Sequence, residues 1–249
     1  MADKVSEKAA RAGAKEREVL VLVHRAVDQH LVLYHEPQSA LAEQYRTFRT
    51  NLVAMNPGGA PRAIAVTSTL KGEGKSLTVA NLALALAELP DTRVLIVDSD
   101  LRAPVQAGLF GLPREPGLAD VVLDFAPLDK TVARTTVAGL NVLPAGRPVR
   151  NPSELLGSSR MSDLVSALKA EFNYILFDSP PALPFADTAV LGHRLDGILF
   201  VVRAEKTPRD QAARSLDLLR NAGCNVIGSF LAGVRSEDGR AAEYVIPED

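Results

Sequence analysis

Apolar residues fall along this chain in two different rhythms. From Glu36, a turn at Pro37 leads into "SALAEQYRTFRTNLVAM", where Leu41, Tyr45, Phe48 and Leu52 recur at spacings of three and four. That period predicts an amphipathic helix over about 38–55, with Ser39 as N-cap and Glu43 in the first turns, ending before "NPGG". Beyond it the rhythm changes. "RAIAVTS" (62–68), "RVLIVDSD" (93–100), "GLNVLPAG" (139–146), "NYILFDSPP" (173–181), "GILFVVRA" (197–204) and "NVIGSFLAGV" (225–234) are short continuous apolar runs. Helix-length segments, notably 75–89, 159–171 and 207–222, separate most of them. Apolar strands alternating with helices predict an α/β fold, a mostly parallel central sheet flanked by helices in three layers, with ligands at the carboxyl ends of the strands.

Before the helix, "EVLVLVHRAVDQHLVLY" (18–34) reads as a helix and strand covering the core. Residues 1–17 carry almost no large apolar side chain and read as a tail, as do residues 236–249. The segment 18–235 is expected to be one domain, in keeping with 249 residues of which 47% are hydrophobic. Against 30 acids stand 28 Lys and Arg, a formal charge of -2 that gives no whole-chain case for nucleic acid or an anionic membrane. Any phosphate chemistry must be local. The single cysteine, Cys224, allows no internal disulfide, and His24, His30, His35 and His193 show no metal-ligand spacing with it. No apolar run approaches the roughly 18–20 residues of a membrane span, and no signal peptide is visible, so a soluble protein in a reducing compartment is expected.

The strongest chemical signal follows the first apolar run. In "TSTLKGEGKSLTVANLALALA", Gly72, Gly74, Lys75 and Ser76 occupy a strand-to-helix turn. Glycines let backbone N–H groups close around phosphate oxygens, a lysine can reach the β and γ phosphates, and a serine hydroxyl at a helix N-terminus can ligate Mg²⁺. Thr69 stands where the G-x-x-x-x-G-K-[ST] pattern has its first glycine. Two further signals sit at strand ends: Asp98 and Asp100 in "RVLIVDSDLRAP", and Asp178 in "YILFDSPP". Residues i and i+2 of an extended chain point the same way, so both acids of the first pair are expected to face the phosphate loop. Arg102 is expected to pair with these acids, with phosphate or with a structural partner.

These segments resemble the bacterial tyrosine kinases (BY-kinases), from about Leu31 to Gly233. "GEGKS" (72–76) resembles their Walker A core, "LIVDSDLRAP" their A′ box and "ILFDSPP" their Walker B box; "NPSELLGSSRM" (151–161) and "VVRAEKTP" (201–208) also look like family segments. Glu43, Arg46 and Arg49 match the E-x-x-R-x-x-R helix through which members assemble, although the same spacing also makes an ordinary surface ion-pair ladder. The resemblance implies a P-loop NTPase fold and a protein-tyrosine autokinase using ATP and Mg²⁺. Lys75, Asp98, Asp100 and Asp178 would be catalytic, with Asp98 at the tyrosine hydroxyl. Lys71, Gly72, Glu73, Gly74, Lys75, Ser76, Leu77 and Arg203 would bind nucleotide, and Ser76, Asp98, Asp100 and Asp178 would hold the metal. It further implies a cytoplasmic homo-oligomer beside an inner-membrane polysaccharide copolymerase (Wzz-like), a tyrosine phosphatase as antagonist, and a role in exopolysaccharide or capsule export. Tyr244 is the expected acceptor, because Tyr45 and Tyr174 fall on packing positions and Tyr34 has no clear placement. A ParA/MinD-like ATPase stands second: the lysine expected five residues before its Walker lysine is here Leu70, with Lys71 one residue too close. An assembly-only ATP-binding regulator is the third class.

Overall fold

A computed structural model describes residues 26–234 of the chain. The tails 1–17 and 236–249, His24, Tyr244 and the first part of the 18–34 stretch lie outside the described residues. Seven strands form one sheet: β1 (Arg62–Ser68), β2 (Val94–Asp98), β3 (Ala133–Arg134), β4 (Leu140–Leu143), β5 (Tyr174–Asp178), β6 (Gly197–Arg203) and β7 (Val226–Ala232). Their spatial order is β3-β4-β2-β5-β1-β6-β7, every pair parallel except β3 with β4. The helices are α1 (Val32–His35), α2 (Ala40–Ala54), α3 (Lys75–Ala87), α4 (Gln106–Leu109), α5 (Leu118–Val122), α6 (Leu128–Thr131), α7 (Pro152–Leu156), α8 (Ser159–Glu171), α9 (Asp187–Gly192) and α10 (Arg209–Asn221).

Helices cover both faces, which is why β2 and β5 are buried along their whole length and read as unbroken apolar runs. Ile64, Val66, Ile96 and Leu176 pack with α2 and α3 on one face. Ala63, Ala65, Leu95 and Phe177 pack with α5 and α8–α10 on the other. This is the predicted three-layer P-loop fold. Helix α3 is apolar on nearly every side because it lies between the sheet and α2, with Thr78 through Leu86 all buried. Helix α2 begins as its pattern predicts, the Ser39 hydroxyl accepting from Ala42 N at 3.2 Å.

The differences from the sequence expectation are local. Strand β2 stops at Asp98, β4 stops at Leu143 before Pro144, and β5 stops before Pro180 and Pro181, which have no N–H to offer a ladder. Strand β3 and the helices of four to six residues were not anticipated, being too short to display a period. On α2 the inward positions are Ala42, Tyr45, Phe48 and Leu52; Leu41 is 44% exposed. Tyr45 and Phe48 stack on Phe230 of β7, with ring centroids 5.6 and 4.9 Å apart. The described part of the 18–34 stretch is a loop and the single turn α1, without the expected strand, although Leu31 and Leu33 are buried as core cover. Tyr34, on α1, is 41% exposed. No helix among the described residues is long and apolar enough to cross a membrane.

The sheet order decides where chemistry can occur. Strands β2, β5 and β1 are neighbours at its centre, and their carboxyl ends carry Asp98 and Asp100, Asp178, and the glycine loop. The β2–β5 register sets Asp98 beside Asp178.

Candidate active site

Between β1 and α3 the chain makes a turn that only glycine adopts without strain at two positions: Gly72 has φ 82° and Gly74, the N-cap of α3, φ 97°. Glu73, between them, turns its carboxylate inward and is 1% exposed. It accepts from Leu70 N at 2.9 Å and from the Thr207 hydroxyl at 2.6 Å, tying the loop to the segment after β6. Its side chain braces the loop and does not line the cavity outside it. Lys206 Nζ reaches Gly72 O at 3.4 Å.

Lys75, the first residue of α3, is buried with its ammonium among three oxygens. Nζ donates to Asp100 Oδ2 at 2.8 Å and Asp178 Oδ1 at 3.3 Å, and lies 3.2 Å from Ser76 Oγ. Burial alone would lower the lysine pKa, but Asp178 and Asp100 outweigh it and hold the pKa above its usual value. Asp98 is 0% exposed, and its Oδ2 accepts from Val105 N and Gln106 N at 3.0 and 2.9 Å. Its Oδ1 has no partner among the described residues. Burial first, then the nearby Asp178, pushes its pKa up to about 8.

Two residues that the sequence did not flag complete this cluster. Gln106, fully buried, donates from Nε2 to Asp178 Oδ2 at 2.8 Å and to Ser76 O at 3.0 Å. Asp187, at the start of α9, accepts from Arg102 Nε at 2.7 Å and from the Ser153 hydroxyl. No short motif links Arg102 to an acid 85 positions away, and that acid, rather than Asp98 or Asp100, is its partner.

A cavity of about 870 Å³ opens above the cluster. Of the predicted site residues it is lined by Lys71, Gly72, Gly74, Lys75, Ser76, Leu77, Asp100 and Arg203. Asp98, Asp178 and Glu73 lie beneath its surface. The alternation argument that faced Asp98 and Asp100 the same way fails because β2 ends at Asp98 and Asp100 belongs to the following turn.

Ser76, Asp100 and Asp178 offer hard oxygen donors around a point now held by an ammonium, which suits a small divalent cation. Among the described residues no three His, Cys, Asp or Glu side chains form a metal cluster by themselves. Mg²⁺ sites of this kind take one or two carboxylates and complete their shell from phosphate and water, so the donors fit that ion while Asp98 is turned to backbone donors.

Glu43, Arg46 and Arg49 lie away from the cavity in an intramolecular lattice. Arg46 bonds Glu43 at 2.5 Å, Pro37 O at 2.8 Å and Glu88 at 2.7 Å; Arg49 bonds Glu88 and Ala85 O, each at 2.9 Å. Glu88, the C-cap of α3, has its pKa lowered by Arg46 above all.

An AAA domain family model matches residues 61–207. Tyrosine-protein kinase YwqD of Bacillus subtilis (strain 168) is 34% identical over 207 residues, covering 83% of this chain and 87% of that protein. A putative tyrosine-protein kinase, CapB of Staphylococcus aureus, is 30% identical over 219 residues, 88% of this chain and 96% of that protein. The kinase domain of the Escherichia coli tyrosine kinase ETK superposes with a TM-score of 0.80 at 28% identity, over 90% of this chain and 88% of that one.

Proposed function

The chain belongs to the bacterial tyrosine kinases, and on that premise we propose that it moves the γ-phosphoryl group of Mg-ATP onto tyrosine hydroxyls of its own kind. The observation that carries this reading is the Lys75 ammonium seated among Asp100, Asp178 and Ser76 behind the glycine loop, at three adjacent strand ends. Mg-ATP, when bound, supplies the phosphoryl group and a cation that neutralises charge as it is transferred. The loop N–H groups and Lys75 hold the phosphates, aided by Lys71, Leu77 and Arg203 on the cavity wall. Ser76, Asp100 and Asp178 hold the metal. In transfer, the tyrosine Oη–P bond forms, the bond from phosphorus to the β–γ bridging oxygen breaks, and the hydroxyl proton passes to Asp98.

One feature favours Asp98 for the proton: among the six oxygens of Asp98, Asp100 and Asp178, only Asp98 Oδ1 is without a partner among the described residues. Asp98 lies beneath the floor beside Asp178, which Lys75 bridges to Asp100, so the lysine must shift toward phosphate before the proton can pass.

Tyr244 serves as the acceptor, transfer is in trans within an oligomer held by Glu43, Arg46 and Arg49, and the setting is cytoplasmic, beside a membrane polysaccharide copolymerase. A tyrosine phosphatase reverses the reaction, and the output regulates exopolysaccharide or capsule export. These assignments rest on the family resemblance. The test is incubation of the purified protein with radiolabelled Mg-ATP, alone and with a cytoplasmic peptide of the membrane partner. Phosphotyrosine is expected, most of it lost in Tyr244→Phe. Full labelling of that variant moves the acceptor elsewhere, and phosphate release without phosphotyrosine favours a ParA/MinD-like ATPase.

A further inference from the structure

The cavity lining is of two chemical kinds. At the glycine loop it presents backbone, Lys75 and Ser76, suited to phosphates. The lining also includes Arg102, Val105, Leu109, Pro184 and Phe185, mostly apolar side chains that a triphosphate does not need, with Asp28 and His30 beside Leu109. Val105 is 43% exposed here. Apolar side chains that stay open beside a buried catalytic cluster point to a ligand that is itself apolar in part.

Arg102 is fixed in this lining with unusual definition. Nε and Nη2 donate to the two oxygens of Asp187 at 2.7 and 3.0 Å, and Asp187 is fully buried and further held by the Ser153 hydroxyl. One face of the guanidinium lies on Phe185, with Cζ 4.2 Å from the ring centroid. One bidentate edge, Nε with Nη2, is therefore used on Asp187, while the Nη1–Nη2 edge has no partner among the described residues. Beside that edge, the planar face opposite Phe185 is a surface matched to an aromatic ring.

We propose that Arg102, stacked on Phe185, is the seat of the acceptor's phenol ring. The inference rests on the kinase reading and deepens it by naming what selects tyrosine. Asp98 and Asp100 are buried, and Asp100 is close enough to Arg102 to act on its charge. A phenol hydroxyl stands at the far end of its ring and extends further from the backbone toward these acids than a serine hydroxyl, one bond from Cβ. Asp187 acts through Arg102 as a positioning residue.

The test uses the full chain with Mg-ADP and a synthetic peptide of residues 235–249, acceptor Tyr244, and a second peptide with Tyr244→Ser. Calorimetric titration should give tighter binding of the tyrosine peptide to wild type, weakened roughly tenfold by Arg102→Lys, the scale of a desolvated cation–π contact. Phe185→Leu should shift it in the same direction and Phe185→Trp should restore it, while nucleotide affinity in all three variants stays within about twofold. In turnover the same variants should raise the peptide KM more than they lower kcat. Nucleotide and peptide affinity falling together would make Arg102 a phosphate ligand and overturn the seat, as would a peptide affinity indifferent to Arg102 and Phe185. Arg102-dependent peptide binding with no phosphotyrosine from wild type would instead overturn the kinase reading and leave the seat standing.

Discussion

Lys75 is a buried cation whose neighbours are two buried acids, and removing one member of such a set costs more than the set contributes. Lys75→Met should abolish transfer and also lower stability by about 3 kcal/mol, which urea unfolding measures. Asp98 carries a pH signature. Its folded pKa, about 8, lies above the unfolded value near 4, so the folded state holds the extra proton between them. The associated stability is fully present below about pH 4 and is lost as pH rises through 8. Relative to Asp98→Asn, which cannot titrate, wild-type protein should therefore lose stability from pH 5 to 8, on the order of 1 kcal/mol per pH unit, and change little above; a constant difference would contradict a raised Asp98 pKa. Lys75, Asp98, Asp100 and Asp178 were legible in the sequence because each sits in a short local string at a strand end. Gln106, Asp187 and the inward turn of Glu73 were not, because their partners are 72, 85 and 134 positions distant and only the fold brings them together.

Among the elements, period and length decided what could be read. The β-runs buried on both faces and the helices of 13 to 15 residues stand close to where their patterns put them. Helices such as α4 and α9 are too short to show a period, yet α4 supplies Gln106 and α9 supplies Asp187. The α2–α3 contact carries a prediction of its own. Arg46 and Arg49 both rest on Glu88, whose side chain is about one third exposed, and pairs of that exposure contribute only tenths of a kcal/mol. Glu88→Gln should therefore cost less than about 1 kcal/mol by thermal unfolding. If α2 is the assembly element, replacing Glu43, Arg46 and Arg49 by alanine should leave the fold intact and release monomers in light scattering. An unchanged mass would leave these residues as an intramolecular lattice alone.

For the whole molecule, the decisive fact is the order β2-β5-β1 at the middle of the sheet. Strands alternating with helices could be read from the chain, and so could a site at their carboxyl ends. The order could not, because apolar strands of similar composition do not announce their neighbours; the resemblance to a family stood in for that information. With that order, two acids from one strand end and one from another meet the glycine loop, the arrangement that the proposed phosphate site and its proton acceptor require. The most direct measurement of that account is phosphotyrosine formation from radiolabelled Mg-ATP by wild-type protein and Lys75→Met, with free phosphate followed in the same samples. Phosphotyrosine in wild type that disappears in Lys75→Met is the predicted result. Phosphate release without phosphotyrosine, with or without the membrane partner's peptide, would contradict it.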